Sequence, residues 1–211
     1  MRTTKRLLAG AALAVGLALG ASTPSSAQEV ARLSSADVAI YNLAGRVDVV
    51  SGTGSEVVVR MSRGGRDGAQ LTLEQGTSGG RETLSVRYPS DEVVYPAMGR
   101  GSTTTLNVRP DGTFSGGWRI GGDRVRVRGS GDGLEAWADL VVEIPVGRDT
   151  EIYLATGELE ASGVTGDLRL DTGSGSVRAV DITGSVTIDT GSGRVEVADI
   201  RGDVMVDTGS G

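Results

Sequence analysis

The residues best suited to chemistry are three identical Asp-Thr-Gly-Ser-Gly motifs that begin at Asp171, Asp189 and Asp207. Aspartic proteases use a similar motif, but they need two carboxylates in contact, each presented by its own lobe. Here the motif recurs at a constant spacing within one repeating segment, and nothing supplies a second lobe. Since Asp and Ser readily bond backbone N–H groups in Gly-containing turns, we interpret the motifs as structural turns. The turn glycines are Gly173, Gly175, Gly191, Gly193, Gly209 and Gly211.

The same three aspartates are the candidates for a metal site. Stacked one repeat apart, they would lie about 4.8 Å from each other. Carboxylates repel at that distance, and Ca²⁺, which prefers several oxygen ligands, could offset the repulsion. The Gly-Gly-x-Gly-x-Asp nonapeptide of calcium-binding β repeats is absent from the sequence. We therefore expect no cofactor, with calcium at Asp171, Asp189 and Asp207 as the alternative.

A second group of side chains could bind an anionic ligand. Three arginines alternate with two valines between residues 124 and 128, so a β-strand would present three guanidinium groups on one face. Arginine pairs bidentately with carboxylate and phosphate groups, although such a pattern is also typical of a solvated surface. The functional alternative is a docking site for anionic glycans or envelope components. Its candidate residues are Arg109, Trp118, Arg119, Arg124, Arg126 and Arg128.

The composition excludes most other chemistry. The 211 residues contain no His and no Cys, so there is no imidazole base, Ser-His relay, thiolate nucleophile or zinc-thiolate site. Residues 28–211 hold 18 basic residues, all Arg, against 27 acidic ones, a net charge of −9. This acidic balance opposes binding to nucleic acid. We predict a protein that is not an enzyme and has no nucleic-acid partner.

Residues 1–27 have the three parts of an export signal. A basic start precedes an apolar run from Leu7 to Ala21, and Ser25 and Ala27 supply the small residues of a cleavage site. The apolar run of 15 residues is shorter than the roughly 20 that span a bilayer. We predict a signal peptide that is cleaved after Ala27, leaving a secreted or periplasmic envelope protein that does not span the membrane.

The elements that must position the candidate residues follow from an internal repeat in segment 153–211, with a period of roughly 18 residues. Apolar and polar residues alternate inside each unit, the pattern of a half-buried strand, and no unit contains a helix-length apolar stripe. Two short strands per unit describe one coil of a β-solenoid, whose inward side chains stack into ladders. The ladder residues are Leu159, Ala161, Val164, Leu168, Leu170, Val177, Ala179, Ile182, Val186, Ile188, Val195, Val197, Ile200, Val204 and Val206.

The rest of residues 28–211 also has the pattern of β structure. The segment GRVDVVSGTGS (45–55) looks like a degenerate copy of GDVMVDTGSG (202–211), and the Gly- and Arg-rich stretch 97–134 is predicted to be an irregular hairpin or loop that projects from the solenoid. We thus predict a single all-β domain. Because the last unit closes on a complete turn without a capping unit, we expect the repeats to continue beyond Gly211 or this edge to associate end to end.

These repeats resemble a known family. The GxVxVDTGSG units, the segment AGRVDVVSGTGSEVVVRM (44–61) and the strand VVEIPVGRDTEI (141–152) are similar to DUF4097, a family of bacterial adhesin-like domains of unknown function. The resemblance covers residues 36 to 211. It implies an exported β-solenoid of the envelope or the medium, without established enzymatic activity and without catalytic residues that could be transferred.

Three functions fit the sequence. The leading one is a non-enzymatic, envelope-associated or secreted binding module whose ligand is unknown. A carbohydrate-active enzyme is the second, since parallel β-helices often carry lyases and hydrolases that use Asp and Arg, and a purely structural spacer or assembly subunit is the third. Near-identical residues in every unit are typical of a scaffold, which favours the first and third. Ligand binding separates those two, and release of sugar products would identify the enzyme.

Overall fold

Alternating apolar residues and frequent glycines give the described part of the chain β-strands and no α-helix. The computed structural model describes residues 28–114 and 121–211, so the predicted signal peptide (1–27), Trp118 and Arg119 lie outside it. No helix in these two ranges is long and apolar enough to cross a membrane. The all-β class predicted from the sequence is confirmed, with both parallel and antiparallel strand pairs.

Fifteen strands occur in the described ranges. They are β1 (Glu29–Leu33), β2 (Asp37–Ser51), β3 (Val57–Gly64), β4 (Thr72–Ser78), β5 (Arg81–Arg87), β6 (Glu92–Val94), β7 (Thr103–Val108), β8 (Asp123–Arg128), β9 (Leu134–Glu135), β10 (Trp137–Ile144), β11 (Asp149–Ser162), β12 (Leu168–Thr183), β13 (Val186–Ser192), β14 (Val195–Arg201) and β15 (Val204–Ser210), with short 3₁₀ turns at Gly68–Gln70 and Pro96–Met98.

The strands form two sheets. The larger sheet has eleven strands and follows the order β1-β3-β10-β2-β11-β12-β13-β15, with β14 beside β12 and the β4–β5 hairpin beside β2. Its N-terminal part contains the antiparallel pairs β1–β3, β3–β10 and β4–β5, whereas β2 and the strands from β11 onward pair in parallel. The smaller sheet has the order β7-β8-β6-β9.

The repeat units pair in parallel with an offset of one full repeat, as the sequence predicts. Leu168 lies opposite Val186, and Val186 lies opposite Val204; on the second strand of the unit, Val177 lies opposite Val195. The ten ladder residues from Leu159 to Ile188 are all buried. The last unit is less covered, since Val204 and Val206 of β15 are 45% and 43% exposed. End-to-end association through this edge stays a prediction.

Strand β2 belongs to the same stack although most of the chain separates it from β11. Gly45 pairs with Gly157, which pairs in turn with Gly175. The alignment of residues 45–55 with GDVMVDTGSG, which would set Gly45 opposite Gly202, is therefore wrong by half a repeat. A glycine precedes each of the two alternating strands of a unit, so residues 45–50 bury their valines whichever of the two strands they are aligned with. The sequence GRVDVV (45–50) is nevertheless more similar to GRVEVA (193–198), in agreement with the observed pairing.

The first Asp-Thr-Gly-Ser-Gly motif lies wholly inside a strand, whereas in the second and third the strand ends at the serine, Ser192 or Ser210. Strand β12 runs through Asp171–Gly175 without a break, and its two halves pair with β13 and β14. Leu170 and Val177 are both buried although they lie an odd number of residues apart, so the inward face changes phase within the motif. We call this phase change the corner of the repeat unit. The turn glycines Gly173 and Gly175 thus lie at a corner of one continuous strand, and Gly193 lies at the corresponding corner between β13 and β14.

The described residues of the stretch 97–134 do not project as predicted but pack onto the larger sheet. Its strands β7 and β8 form an antiparallel hairpin, and Val125 and Val127 of β8 join a second hydrophobic core with Tyr41 of β2 and Ala155 of β11. Alternation explains the difference, because the valines between the arginines give the strand an apolar face that must be buried. The arginines consequently lie on the opposite face of β8.

Candidate functional site

A groove of about 1190 Å³ lies between the smaller sheet and the corners of the larger one. One side of the groove is formed by the turn Pro96–Met98, by Ser102 and by Thr103 and Thr104 at the start of β7. The other side comes from corner residues of the repeat units and from the beginning of β10. None of the described residues of the arginine group proposed from the sequence lines it. The lining includes the polar, charged and aromatic residues Arg46, Tyr95, Trp137, Asp139, Glu158, Thr156, Ser174, Ser192 and Ser210.

The repeat places a hydroxyl group at the same corner position of successive units. Thr156 pairs with Ser174, and Ser192 pairs with Ser210. The Ser174 hydroxyl donates to the Thr156 hydroxyl at 3.0 Å and lies 2.8 Å from the hydroxyl of Thr104 in β7. The smaller sheet is therefore tied to this row, which we call the hydroxyl row (Thr156, Ser174, Ser192, Ser210). Hydroxyl groups can both donate and accept, so the row can bind polar ligands of either kind.

Trp137 provides the largest flat surface of the groove. It is half-buried, its indole packs so closely on Gly64 that a Cβ there would overlap the ring, and its centroid lies 5.7 Å from that of Tyr95. The orientation of the indole is therefore fixed by packing on both residues. In the sequence Trp137 could stack on a sugar ring, but its place within LEAWADL favours a core or end-cap aromatic. Its neighbours in the groove become visible only when the smaller sheet is docked.

The one cation among the described lining residues, Arg46, is shared by several carboxylates. The Arg46 guanidinium forms ion pairs with Asp48 at 2.7 Å, Glu158 at 3.2 Å and Glu160 at 2.8 Å. The Asp139 carboxylate accepts the backbone N–H of Arg46 at 2.9 Å. The hydrogen bond to Asp48 raises the pKa of Arg46 above its ordinary value. This end of the groove therefore offers carboxylates whose charge is already engaged.

Most of the described arginines proposed as an anion site are engaged by other side chains. Arg126 and Arg128 both form ion pairs with Glu92, at 2.7 and 3.0 Å, so one carboxylate neutralises part of their charge. The Arg109 guanidinium donates to the Thr113 hydroxyl at 2.9 Å. Arg124 is exposed. Within residues 28–114 and 121–211, Arg124 alone of the group thus offers an exposed guanidinium on β8.

The three repeated aspartates stack as predicted, with Asp189 between Asp171 and Asp207. An arginine compensates the first pair: the Arg169 guanidinium lies 3.7 Å from the Asp171 carboxylate and 3.6 Å from that of Asp189. In the described part of the chain no three His, Cys, Asp or Glu residues converge as metal ligands. The calcium alternative therefore finds no preformed cluster at this ladder.

Asp171 is the carboxylate whose ionisation is most disturbed. Only 6% of it is exposed; this burial, together with the negative charge of Asp189, raises its pKa from 3.8 to about 6. Arg169 on the same strand opposes the shift, and Glu151 on β11 adds to it. The folded protein thus holds the proton more tightly than the unfolded chain. The stability associated with that proton is complete below about pH 4 and is lost as the pH rises through about 6.

The variant Asp171→Asn should therefore remove a pH-dependent loss of stability. We expect its free energy of unfolding to equal that of the wild type near pH 4 and to exceed it by roughly 1–3 kcal/mol at about pH 7.5. Urea denaturation at both pH values measures this difference. Asp207→Asn, at the same ladder position but exposed, is the matched control and should leave the pH dependence unchanged. An equal gain from Asp171→Asn at both pH values would contradict the assignment.

Comparisons with known proteins give a distant structural similarity. No family model and no curated protein matches the chain, so the resemblance to DUF4097 stays a prediction. The chain is similar in structure to a protein from Clostridium sporogenes that is described as a "putative cell adhesion protein". The two share 8% sequence identity with a TM-score of 0.33, over 87% of this chain and 100% of that one.

Proposed function

We propose that this chain is an exported, non-enzymatic, adhesin-like binding module, secreted or held in the cell envelope, that binds a glycan or another envelope component. The observation that carries the proposal is the groove of about 1190 Å³, which is lined both by a closely packed tryptophan and by a row of hydroxyl residues. Concave sites that combine an aromatic surface with a few placed polar groups are typical of ligand binding. Export rests on the signal sequence of residues 1–27.

The scaffold of the proposed module is a β-solenoid. Its support is the parallel pairing at an offset of one repeat from β11 to β15 and the burial of the ladder residues in successive units. In such a stack each unit contacts only its neighbours, so identical residues recur at equal spacing along one surface. A solenoid thereby presents a regular row of groups to a ligand, and the docked smaller sheet converts part of that surface into a groove.

A binding role is favoured over catalysis by the state of the groove carboxylates. Glycoside hydrolysis needs two carboxyl groups that face the scissile bond, one of them able to donate a proton. Glu158 is held by Arg46 at 3.2 Å, and Asp139 accepts a backbone N–H. Both carboxylates are thus already engaged by groups of the protein. Release of reducing sugars from polysaccharides by the purified protein would instead support the carbohydrate-active alternative.

The test is a binding screen of glycans and envelope fractions with residues 28–211. We expect Trp137→Ala to weaken binding at least about tenfold, because a buried aromatic anchor commonly dominates such contacts. Trp137→Phe retains an aromatic ring and should keep most of the affinity. Arg124→Ala is the control outside the groove and should bind like the wild type. Melting curves must show that each variant is folded, since Trp137 also packs on Gly64.

Two results would contradict this proposal. Binding that survives Trp137→Ala and is lost in Arg124→Ala would move the ligand to the arginine face of β8. No binding to any glycan or envelope fraction would favour the structural spacer. Deleting the stretch 97–134 is not a usable control, because it would remove Val125 and Val127 and uncover Tyr41 of the second core.

A further inference from the structure

The groove extends across several repeat units. The hydroxyl row contributes one residue from each of four successive units to the lining. Neighbouring strands of a sheet lie about 4.8 Å apart, so the four positions span on the order of 14 Å along the stack. A hydroxyl group on every strand, about 4.8 Å from the next, matches a polysaccharide, whose polar groups recur once per sugar ring. A small compact ligand would use only one or two of these positions.

The hydroxyl row is accessible at its later residues, since Thr156 is buried, Ser192 is half-buried and Ser210 is exposed. Gly173 and Gly175 flank Ser174, and Gly191 and Gly193 flank Ser192, so no neighbouring side chain rises beside the hydroxyls. Ser192 and Ser210 make no side-chain hydrogen bond within the described residues, whereas Ser174 is engaged by Thr156 and Thr104. A ligand lying on the row therefore finds two unengaged hydroxyls beyond the point where the smaller sheet is attached.

The charges of the groove oppose an anionic ligand. Arg46, the one cation among its described lining residues, already pairs with three carboxylates, and residues 28–211 carry a net charge of −9. Among those lining residues a polyanion would meet no unpaired cation, and the protein as a whole would repel it. A pyranose ring has an apolar face that can stack on the indole of Trp137 and hydroxyl groups at its edge for the serines.

An extended peptide fits the same groove less well. Peptides bind to exposed sheet edges through main-chain hydrogen bonds or place apolar side chains into pockets. The groove is lined by strand corners whose backbone pairs with the neighbouring units, and its repeating side is built of Gly, Ser and Thr. The terminal strands β7 and β15 reach the groove, but its repeating side of Gly, Ser and Thr offers no series of apolar pockets for the side chains of a peptide.

The geometry points to a linear, uncharged polysaccharide as the ligand, laid across successive repeat units with one sugar stacked on Trp137 and later sugars bonded to Ser192 and Ser210. This inference rests on the proposed function and names its ligand class. It also requires that affinity increase with the length of the oligosaccharide until the row is covered. A ligand held at Trp137 alone would show no such increase.

Titration calorimetry with oligosaccharides of two to six sugars tests the inference on residues 28–211. The probes are β-1,4-linked glucose, N-acetylglucosamine and mannose, with oligogalacturonate as the anionic series of equal length. We expect affinity for at least one uncharged series to rise about tenfold from disaccharide to hexasaccharide. Ser192→Ala should weaken the hexasaccharide several-fold and leave the disaccharide unchanged. Ser185→Ala, at the other bend of the same unit and outside the groove, is the matched control.

The outcomes separate this inference from the proposed function. Affinity that is independent of length, or unchanged in Ser192→Ala, would overturn the placement across the units. Tighter binding of oligogalacturonate would overturn the uncharged class. The uncharged class is also wrong if no uncharged series binds while an envelope fraction binds the wild type and not Trp137→Ala. In that case the proposed function stands. Binding that is unchanged in Trp137→Ala would overturn both this inference and the proposed function.

Discussion

Replacing Gly175 with alanine is expected to unfold the repeat units. Gly175 has a φ of 132°, a backbone conformation that L-residues with a Cβ rarely adopt. A Cβ at this position would also overlap the carbonyl oxygen of Gly157 in the preceding unit, and Gly193 of the next unit approaches Gly175 in the same way. The obstacle is the backbone of Gly157, so it cannot be relieved by rotating a side chain. We expect a loss of roughly 4 kcal/mol or more, a large part of the 5–15 kcal/mol that stabilises an ordinary domain.

Gly163→Ala is the matched control for this prediction. Gly163 also has a positive φ, 67°, but nothing lies within 4 Å of the position of its Cβ. The equivalent residues of the next two units are Asp181 and Asp199, with φ of 53° and 54°, so this bend accepts a side chain. We expect a cost of about 1 kcal/mol. Urea unfolding followed by circular dichroism compares the two variants, and equal losses would show that corner stacking does not determine stability.

The repeat was predictable because identical residues recur at a fixed spacing. When Val186 and Val204 occupy the same place in two copies of one motif, in-register parallel pairing satisfies both units at once, and this is the pairing observed. The half-repeat error at Gly45 has the same origin. Inside a unit the two strands share one pattern of valines after a glycine, so alternation alone cannot distinguish them; the stretch GRVDVV, compared with GRVEVA, contains the missing information.

The candidate site was not predictable from the same patterns. The functional interpretation rested on the charges of Arg124, Arg126 and Arg128. The valines between these arginines are the residues that indicate that β8 packs on the larger sheet. Docking creates the groove, and it brings Thr104 to Ser174 across a long stretch of sequence. The serines of the hydroxyl row were assigned to turns because each lies in a motif that also serves the corner. When a residue both forms the corner and lines the groove, a single sequence reveals only the corner, because the corner is what recurs in every repeat.

Replacing Ile188 with aspartate is the second change with a large expected effect. Ile188 has no exposed surface and lies between Leu170 and Val206 in the ladder. The substitution removes about 2–3 kcal/mol of apolar burial and places a carboxylate where no partner can compensate its charge, which costs several kcal/mol more. The sum is comparable with the stability of a whole domain. We therefore expect Ile188→Asp to lack the cooperative unfolding transition that circular dichroism should show for the wild type.

Val206→Asp tests whether this effect comes from burial or from the residue type. Val206 occupies the equivalent position one unit later and pairs directly with Ile188, but it is 43% exposed, so water can solvate the new carboxylate. We expect a loss of about 1 kcal/mol and a cooperative transition close to that of the wild type. A melting temperature of Ile188→Asp within a degree or two of the wild type would refute the ladder register. Equal, large losses in both variants would mean that Val206 is covered in solution, as expected if a further unit or a second molecule packs on β15.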